Sequence, residues 1–126
     1  MVDPQINENC PINGVKDPCF IPAQKILNLI SKKWGIQLIH ILHNGEEKRY
    51  NEIKEELRKG WKEKQISDAT LSSLLSEFVK MDLIIREVYP EIPPKVVYSL
   101  SKKGLSLSQS IQPLIKWTHD YCHKIL

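Results

Sequence analysis

A change of period late in the chain most narrows what it can fold into. Up to Phe78 the apolar residues recur at helical spacing, whereas from Ile84 they alternate. Ile84, Arg86 and Val88 then fall on one side and Ile85, Glu87 and Tyr89 on the other, and a second alternating run covers Lys95 to Leu100. Between the runs stands Pro90-Glu91-Ile92-Pro93-Pro94, a stiff segment that lacks a backbone donor at three positions. The two runs are therefore expected to pair as an antiparallel hairpin whose tip projects instead of extending the sheet.

On either side of the hairpin the pattern is helical. Ala23 to Ser31 carries Ile26, Leu27, Leu29 and Ile30, and a second helix from Trp34 buries Leu38, Ile41 and Leu42 before Asn44-Gly45 stops it. A third is expected from about Tyr50 to Arg58, with Ile53 and Leu57 one turn apart and Lys59-Gly60 as its end. Ser67 or Asp68 can cap a fourth, whose apolar face is Leu71, Leu74, Leu75 and Phe78 and whose opposite face is Asp68, Ser72, Ser73 and Ser76. After Ser101 a long last helix has a wide stripe of Leu107, Ile111, Leu114, Ile115, Thr118, Tyr121, Cys122 and Ile125, with Pro113 predicting a kink in its middle. Trp34 and Trp117 fall at the edges of apolar faces and read as packing residues.

At 126 residues the chain is one domain, and its 41% hydrophobic and 26% charged content excludes wholesale disorder. Residues 1–22 hold four of the eight prolines and two of the three cysteines and read as an N-terminal arm, leaving 23–126 as the domain. Three cysteines without a secretory segment favour a reducing, cytoplasmic setting, and charges interrupt every apolar run too soon for a membrane span. The fold class expected is α+β, mostly helical. Four helices, a two-stranded β wing and a long C-terminal helix are the order of a winged helix-turn-helix, with helices 3 and 4 as the turn motif. The N-terminal half of the fourth helix would then enter the major groove, where short polar residues let the backbone approach the bases.

Several strings resemble the HxlR-type transcriptional regulators, a group related to MarR. They are Cys10-Pro11, Ile30 through Lys33-Trp34, Arg49-Tyr50-Asn51-Glu52-Ile53, Ile66-Ser67 followed by Leu71, and Leu83-Ile84-x-Arg86. The wing string from Tyr89-Pro90-Glu91 through Leu100, then Lys103-Gly104 and Trp117, complete the set. The resemblance implies a homodimeric double-stranded DNA-binding regulator that pairs through its first and last helices. It also implies thiol sensing in some members, with an arm cysteine, Cys10 or Cys19 here, paired to Cys122 of the partner chain. Two features depart from the pattern: the arm is longer than usual, and Arg58 to Gln65 makes an enlarged turn before the fourth helix.

The candidate DNA contacts are Ser67, Asp68, Thr70, Ser72 and Ser73 on the fourth helix, with Asp68 either a cap or an acceptor for cytosine N4. Arg86 and Lys95 in the wing and Arg49 ahead of the third helix are candidate phosphate or minor-groove contacts, and Lys62 and Lys64 could join them. His119-x2-Cys122-His123 and the pair His40 and His43 are too sparse for a metal site, and no cofactor is expected. The sequence offers no Gly-rich phosphate loop and no nucleophile with a neighbouring base, so an enzyme is not expected. The rival reading is a winged helix used for protein–protein assembly without DNA affinity, in keeping with a net charge of only +3.

Overall fold

The architecture was obtained as a computed structural model that describes residues 20–60 and 65–125. Its elements are α1 (Phe20–Ile30), α2 (Gly35–Ile41), β1 (Lys48–Arg49), α3 (Tyr50–Gly60), α4 (Asp68–Lys80), β2 (Ile84–Tyr89), β3 (Lys95–Leu100) and α5 (Lys102–Ile125). The chain is thus mostly helical, with a small antiparallel sheet against the helices in a winged-helix arrangement. Cys10, Cys19, Trp61, Lys62 and Lys64 lie outside the described residues.

β2 and β3 pair in the register that the alternation dictates, from Ile84 opposite Leu100 to Tyr89 opposite Lys95. The wing differs from the expected two strands in one respect. Lys48 and Arg49 form β1 and pair with Tyr98 and Val97, giving a three-stranded sheet in the order β1-β3-β2. Two polar residues carry no alternation to read, so tertiary placement of the segment before α3 decides this pairing. Only the root of β2 meets the core: Ile84 is buried, while Ile85 through Val88 stand exposed.

The core gathers Leu38, Ile39 and Leu42 of α2, Ile53 and Leu57 of α3, Leu71, Leu74, Leu75 and Phe78 of α4, and Ile84 and Leu100 of the sheet. α3 and α4 contribute the stripes that their spacing predicts, whereas α2 buries Ile39 with Leu38 and Leu42 and leaves Ile41 half-buried, and Leu27 of α1 stands exposed. α1 begins at Phe20, three residues ahead of the expected start, and takes Pro22 into its first turn, where the missing N–H has no intrahelical partner to lose. Trp34 is buried as expected, but it holds a left-handed backbone conformation with φ 81°, unusual for a bulky side chain.

α5 starts on a tight junction. Ser101 Oγ accepts from the Gly104 N–H at 3.0 Å and donates to the Asp82 carbonyl at 2.6 Å, while the Ser101 N–H donates to the Leu83 carbonyl at 3.0 Å. α5 runs on through Pro113 as one helix, the proline removing the bond that its N–H would have made to Gln109. Its first half packs through Ile111, but Leu114, Trp117 and Tyr121 are about half exposed. Trp117 therefore departs from the packing role expected of it, because α5 outruns the core of its own chain; its ring lies 5.4 Å from that of Tyr121.

Candidate nucleic-acid interface

α4 presents the side chains that a reading helix needs. Ser67 caps it, its hydroxyl accepting from the Thr70 N–H at 3.2 Å and lying 2.9 Å from the Thr70 hydroxyl. With Leu71, Leu74, Leu75 and Phe78 turned into the core, Ala69, Thr70, Ser72, Ser73 and Ser76 stay exposed. All are short, so the helix backbone can come close to a surface laid against it.

A depression lies on each flank of this face. On the wing side it measures about 300 Å³ and is lined by Ser72, Ser76 and Lys80 of α4 together with Arg86 and Tyr98 of the sheet. On the other side it measures about 390 Å³, between Ala69, Thr70 and Ser73 of α4 and the α1–α2 turn with Lys32 and Lys33. Sequence reasoning anticipated Arg86 but not the two lysines, because only tertiary packing brings residues 32 and 33 beside α4.

Asp68 is committed to neighbouring side chains. Its Oδ1 accepts from Lys54 Nζ and from the Tyr50 hydroxyl, each at 2.9 Å, so two α3 side chains grip the leading end of α4. These bonds, Lys54 first and Tyr50 second, hold its carboxyl below the usual value of 3.8. A group whose folded pKa is depressed stabilises the fold above its unfolded pKa, and that contribution is lost as pH falls through the folded pKa. Asp68→Asn is accordingly expected to lower the melting temperature near neutrality, where the ionised carboxylate contributes, and to converge with the wild type below about pH 3, flattening the acid side of the profile. Thermal melts between about pH 6 and pH 2 check this, and an unaltered acid limb would refute the role.

The wing has two unlike sides. Arg86 points with Ile84 toward α4, whereas Glu87 and Tyr89 share the other side. There the Tyr89 hydroxyl lies 3.0 Å from Glu87 Oε2 and 3.1 Å from Glu47 Oε1, and the two carboxylates push its pKa up to about 12. Lys95 Nζ stands 5.4 Å over the Tyr89 ring. Arg49 is exposed on β1, and its backbone N–H donates to Glu52 Oε1 at 2.9 Å, the glutamate half of a capping box at the start of α3. The side of the wing that faces α4 thus carries Arg86, and the outer side gathers Glu87 and Glu47 around Tyr89 together with the cations Lys95 and Arg49.

An apolar cavity of about 550 Å³ lies between α2, α3 and α5, where Trp34, Ile41, Leu57, Leu114 and Ile115 line it with His40, Glu56 and Thr118. It shares Leu114 with the exposed stripe of α5. His40 and His43 stack with ring centroids 4.7 Å apart. Cys122, also on α5, is exposed and free. No helix among the described residues is long and apolar enough to cross a membrane.

Residues 29–125 match the HxlR-like helix-turn-helix family, a span that takes in every element from the end of α1 to the end of α5. The chain belongs to the HxlR family. It is a transcriptional regulator of the HxlR and MarR type, as its relatives are. The HTH-type transcriptional regulator YodB of Bacillus subtilis is 32% identical over 99 residues, covering 79% of this chain and 82% of YodB. The reduced form of YodB superposes with a TM-score of 0.65 at 31% identity, covering 80% of this chain and 92% of that one. The redox regulator HypR in its oxidised form gives 0.65 at 30% identity, with 79% and 95% covered. A MarR-family regulator of Enterococcus faecalis V583 gives 0.72 at 28% identity, with 89% and 96% covered. These HxlR and MarR relatives are described as regulators of transcription, a class that performs no catalysis.

Proposed function

We propose that this HxlR protein is a homodimeric regulator that reads a pseudo-palindromic operator with α4 and holds the adjacent backbone with the wing. The observation that carries the reading is the exposed row of short side chains on α4, Thr70, Ser72, Ser73 and Ser76, beside a depression that contains Arg86 and Lys80. Thr70, Ser72 and Ser73 meet base edges, and Ser67 and Asp68 set the start and tilt of the helix. Asp68 can stand near phosphates because Lys54 neutralises it. Arg86 contacts the phosphate backbone from the α4 side of the sheet, and Arg49 at the β1 edge and Lys95 at the wing tip add contacts from its other face.

Dimerisation uses α1 and α5, whose large apolar residues Phe20, Ile21, Leu27, Leu114, Trp117 and Tyr121 are about half exposed in the single chain. Two copies would set their α4 helices on half-sites about one helical turn, roughly 34 Å, apart. The redox character of HypR and the free thiol of Cys122 support a sensing role for Cys10 or Cys19 with Cys122 of the partner chain. In that step the two thiols give up two protons and two electrons to the oxidant and one S–S bond forms between the chains. Linking arm to α5 would change the separation of the reading helices.

Selection of bound duplexes from random DNA, run with reduced and diamide-treated protein side by side, tests the whole reading. Reduced protein is expected to enrich one pseudo-palindrome, and diamide to alter or abolish that enrichment in the native chain but not in Cys122→Ser. Failure to enrich any sequence would sink DNA reading in favour of the protein-assembly module. Enrichment untouched by diamide would remove the thiol switch alone.

A further inference from the structure

The α1–α2 turn has no part in reading bases, yet its conformation is tightly fixed. Trp34 holds a left-handed backbone at φ 81° while its side chain is buried, and a Cβ on Gly35 would stand 2.6 Å from the Ile30 carbonyl oxygen. The Lys32 N–H donates to the Leu29 carbonyl at 3.3 Å, and the Lys32 carbonyl accepts from the Gly35 N–H at 2.9 Å. A bulky residue kept in a sparsely populated conformation is a reason to ask what the turn presents. It presents Lys32 and Lys33 across the depression from Ala69, Thr70 and Ser73.

Lys32 Nζ sits 2.5 Å from Glu77 Oε2, with 49% and 37% of the two side chains open to solvent, and Lys33 Nζ lies 5.3 Å over the Trp34 ring. A helix lying in the major groove has a phosphate backbone along each flank. On one flank of α4 stand Arg86 and Lys80, and on the opposite flank stand Lys32 and Lys33.

We infer that the α1–α2 turn is a second phosphate-binding site, in which Lys32 and Lys33 hold the DNA backbone on the side of α4 away from the wing. The inference rests on α4 reading DNA. Glu77 is the resident partner of Lys32 when DNA is absent. An ion pair between two solvated side chains is weak, so Lys32 exchanges its carboxylate for a phosphate at little cost. Glu77 then stands beside a phosphate without its cation and opposes binding of any sequence. Because backbone bonds and the packing of Trp34 and Gly35 fix the turn beforehand, little ordering accompanies the contact.

The test is the salt dependence of binding to a selected duplex and to a random duplex, followed by fluorescence anisotropy with the full chain. Removing both cations as Lys32→Gln with Lys33→Gln is expected to flatten the slope of log K against log salt by about 1.8, at about 0.9 per phosphate contact, on both duplexes. The preference for the selected site stays unchanged. Glu77→Gln is expected to tighten binding several-fold on both duplexes at low salt, a gain that misfolding cannot produce. A double variant with the wild-type slope, or a Glu77→Gln protein with wild-type affinity, overturns the inference while DNA reading stands. A wild-type slope near zero overturns both.

Discussion

Replacing Gly104 by alanine is expected to lower the melting temperature by about 10 °C or more, corresponding to a loss of roughly 3 kcal/mol. The added Cβ would lie 2.1 Å from the Leu83 carbonyl oxygen, 3.0 Å from its carbon and 3.1 Å from Leu100 Cδ2. The first two of these are backbone atoms, and the Leu83 oxygen also accepts the Ser101 N–H, so it cannot retreat without breaking the junction that starts α5. Relief must come from moving α5 away from the α4–β2 connection, at the expense of the Ser101 bonds to Asp82 and Gly104. Gly45 supplies the contrast. It holds φ +77° with only Leu105 Cδ2 at 3.9 Å, so Gly45→Ala meets open space and costs about 1 kcal/mol through its backbone conformation alone. Equal melting temperatures for the two variants would show that the α5 junction yields more easily than its geometry implies.

The parts of this molecule that could be read from its sequence are those with a local physical signal. The hairpin register followed from strict alternation and from three prolines that bar the tip from pairing. The start of α4 followed from Ser67-Asp68 placed ahead of an apolar period, with Ser67 proving to be the cap, and the start of α5 from Ser101. Other parts depend on tertiary placement. Lys48 and Arg49 pair with β3 because the chain before α3 passes beside the sheet, and nothing in two polar residues announces a strand. Lys32 and Lys33 form part of a family-like string ahead of Trp34, but only the packing of α1 and α2 against α4 brings them to its flank.

Asp68 shows a subtler limit. Its position at the head of α4 allowed either a cap or a base contact, whereas the cap is Ser67 and the Asp68 carboxylate is held by Tyr50 and Lys54 of α3. Those residues are 18 and 14 positions away in sequence, beyond any local pattern. Trp117 was legible as apolar but not as exposed, because its exposure depends on how far α5 extends past the core. The net charge of +3 is likewise a poor guide, since cations flank α4 while Glu47 and Glu87 collect on the outer side of the wing. Distribution, rather than the total, argues for an anionic partner.

The central claim is that the exposed face of α4 lies against DNA. Ser72 and Ser73 are the most informative positions because one borders each depression and neither packs in the core. Introducing Ser72→Glu and Ser73→Glu together leaves the buried stripe intact and does not lower helix propensity, so the fold should survive. Two carboxylates would then face phosphates and acceptor-rich base edges, an opposition that costs several kcal/mol and so at least about 100-fold in affinity. Asp68 escapes this penalty through Lys54, whereas glutamates at 72 and 73 would compete with phosphates for Arg86 and Lys80 on one flank and for Lys32 and Lys33 on the other. The decisive measurement is the affinity of this double variant for the selected duplex, with its thermal melt recorded alongside. The account predicts a loss of at least about 100-fold at an unchanged melting temperature. Binding within about threefold of the wild type would mean that α4 is not the surface that meets DNA.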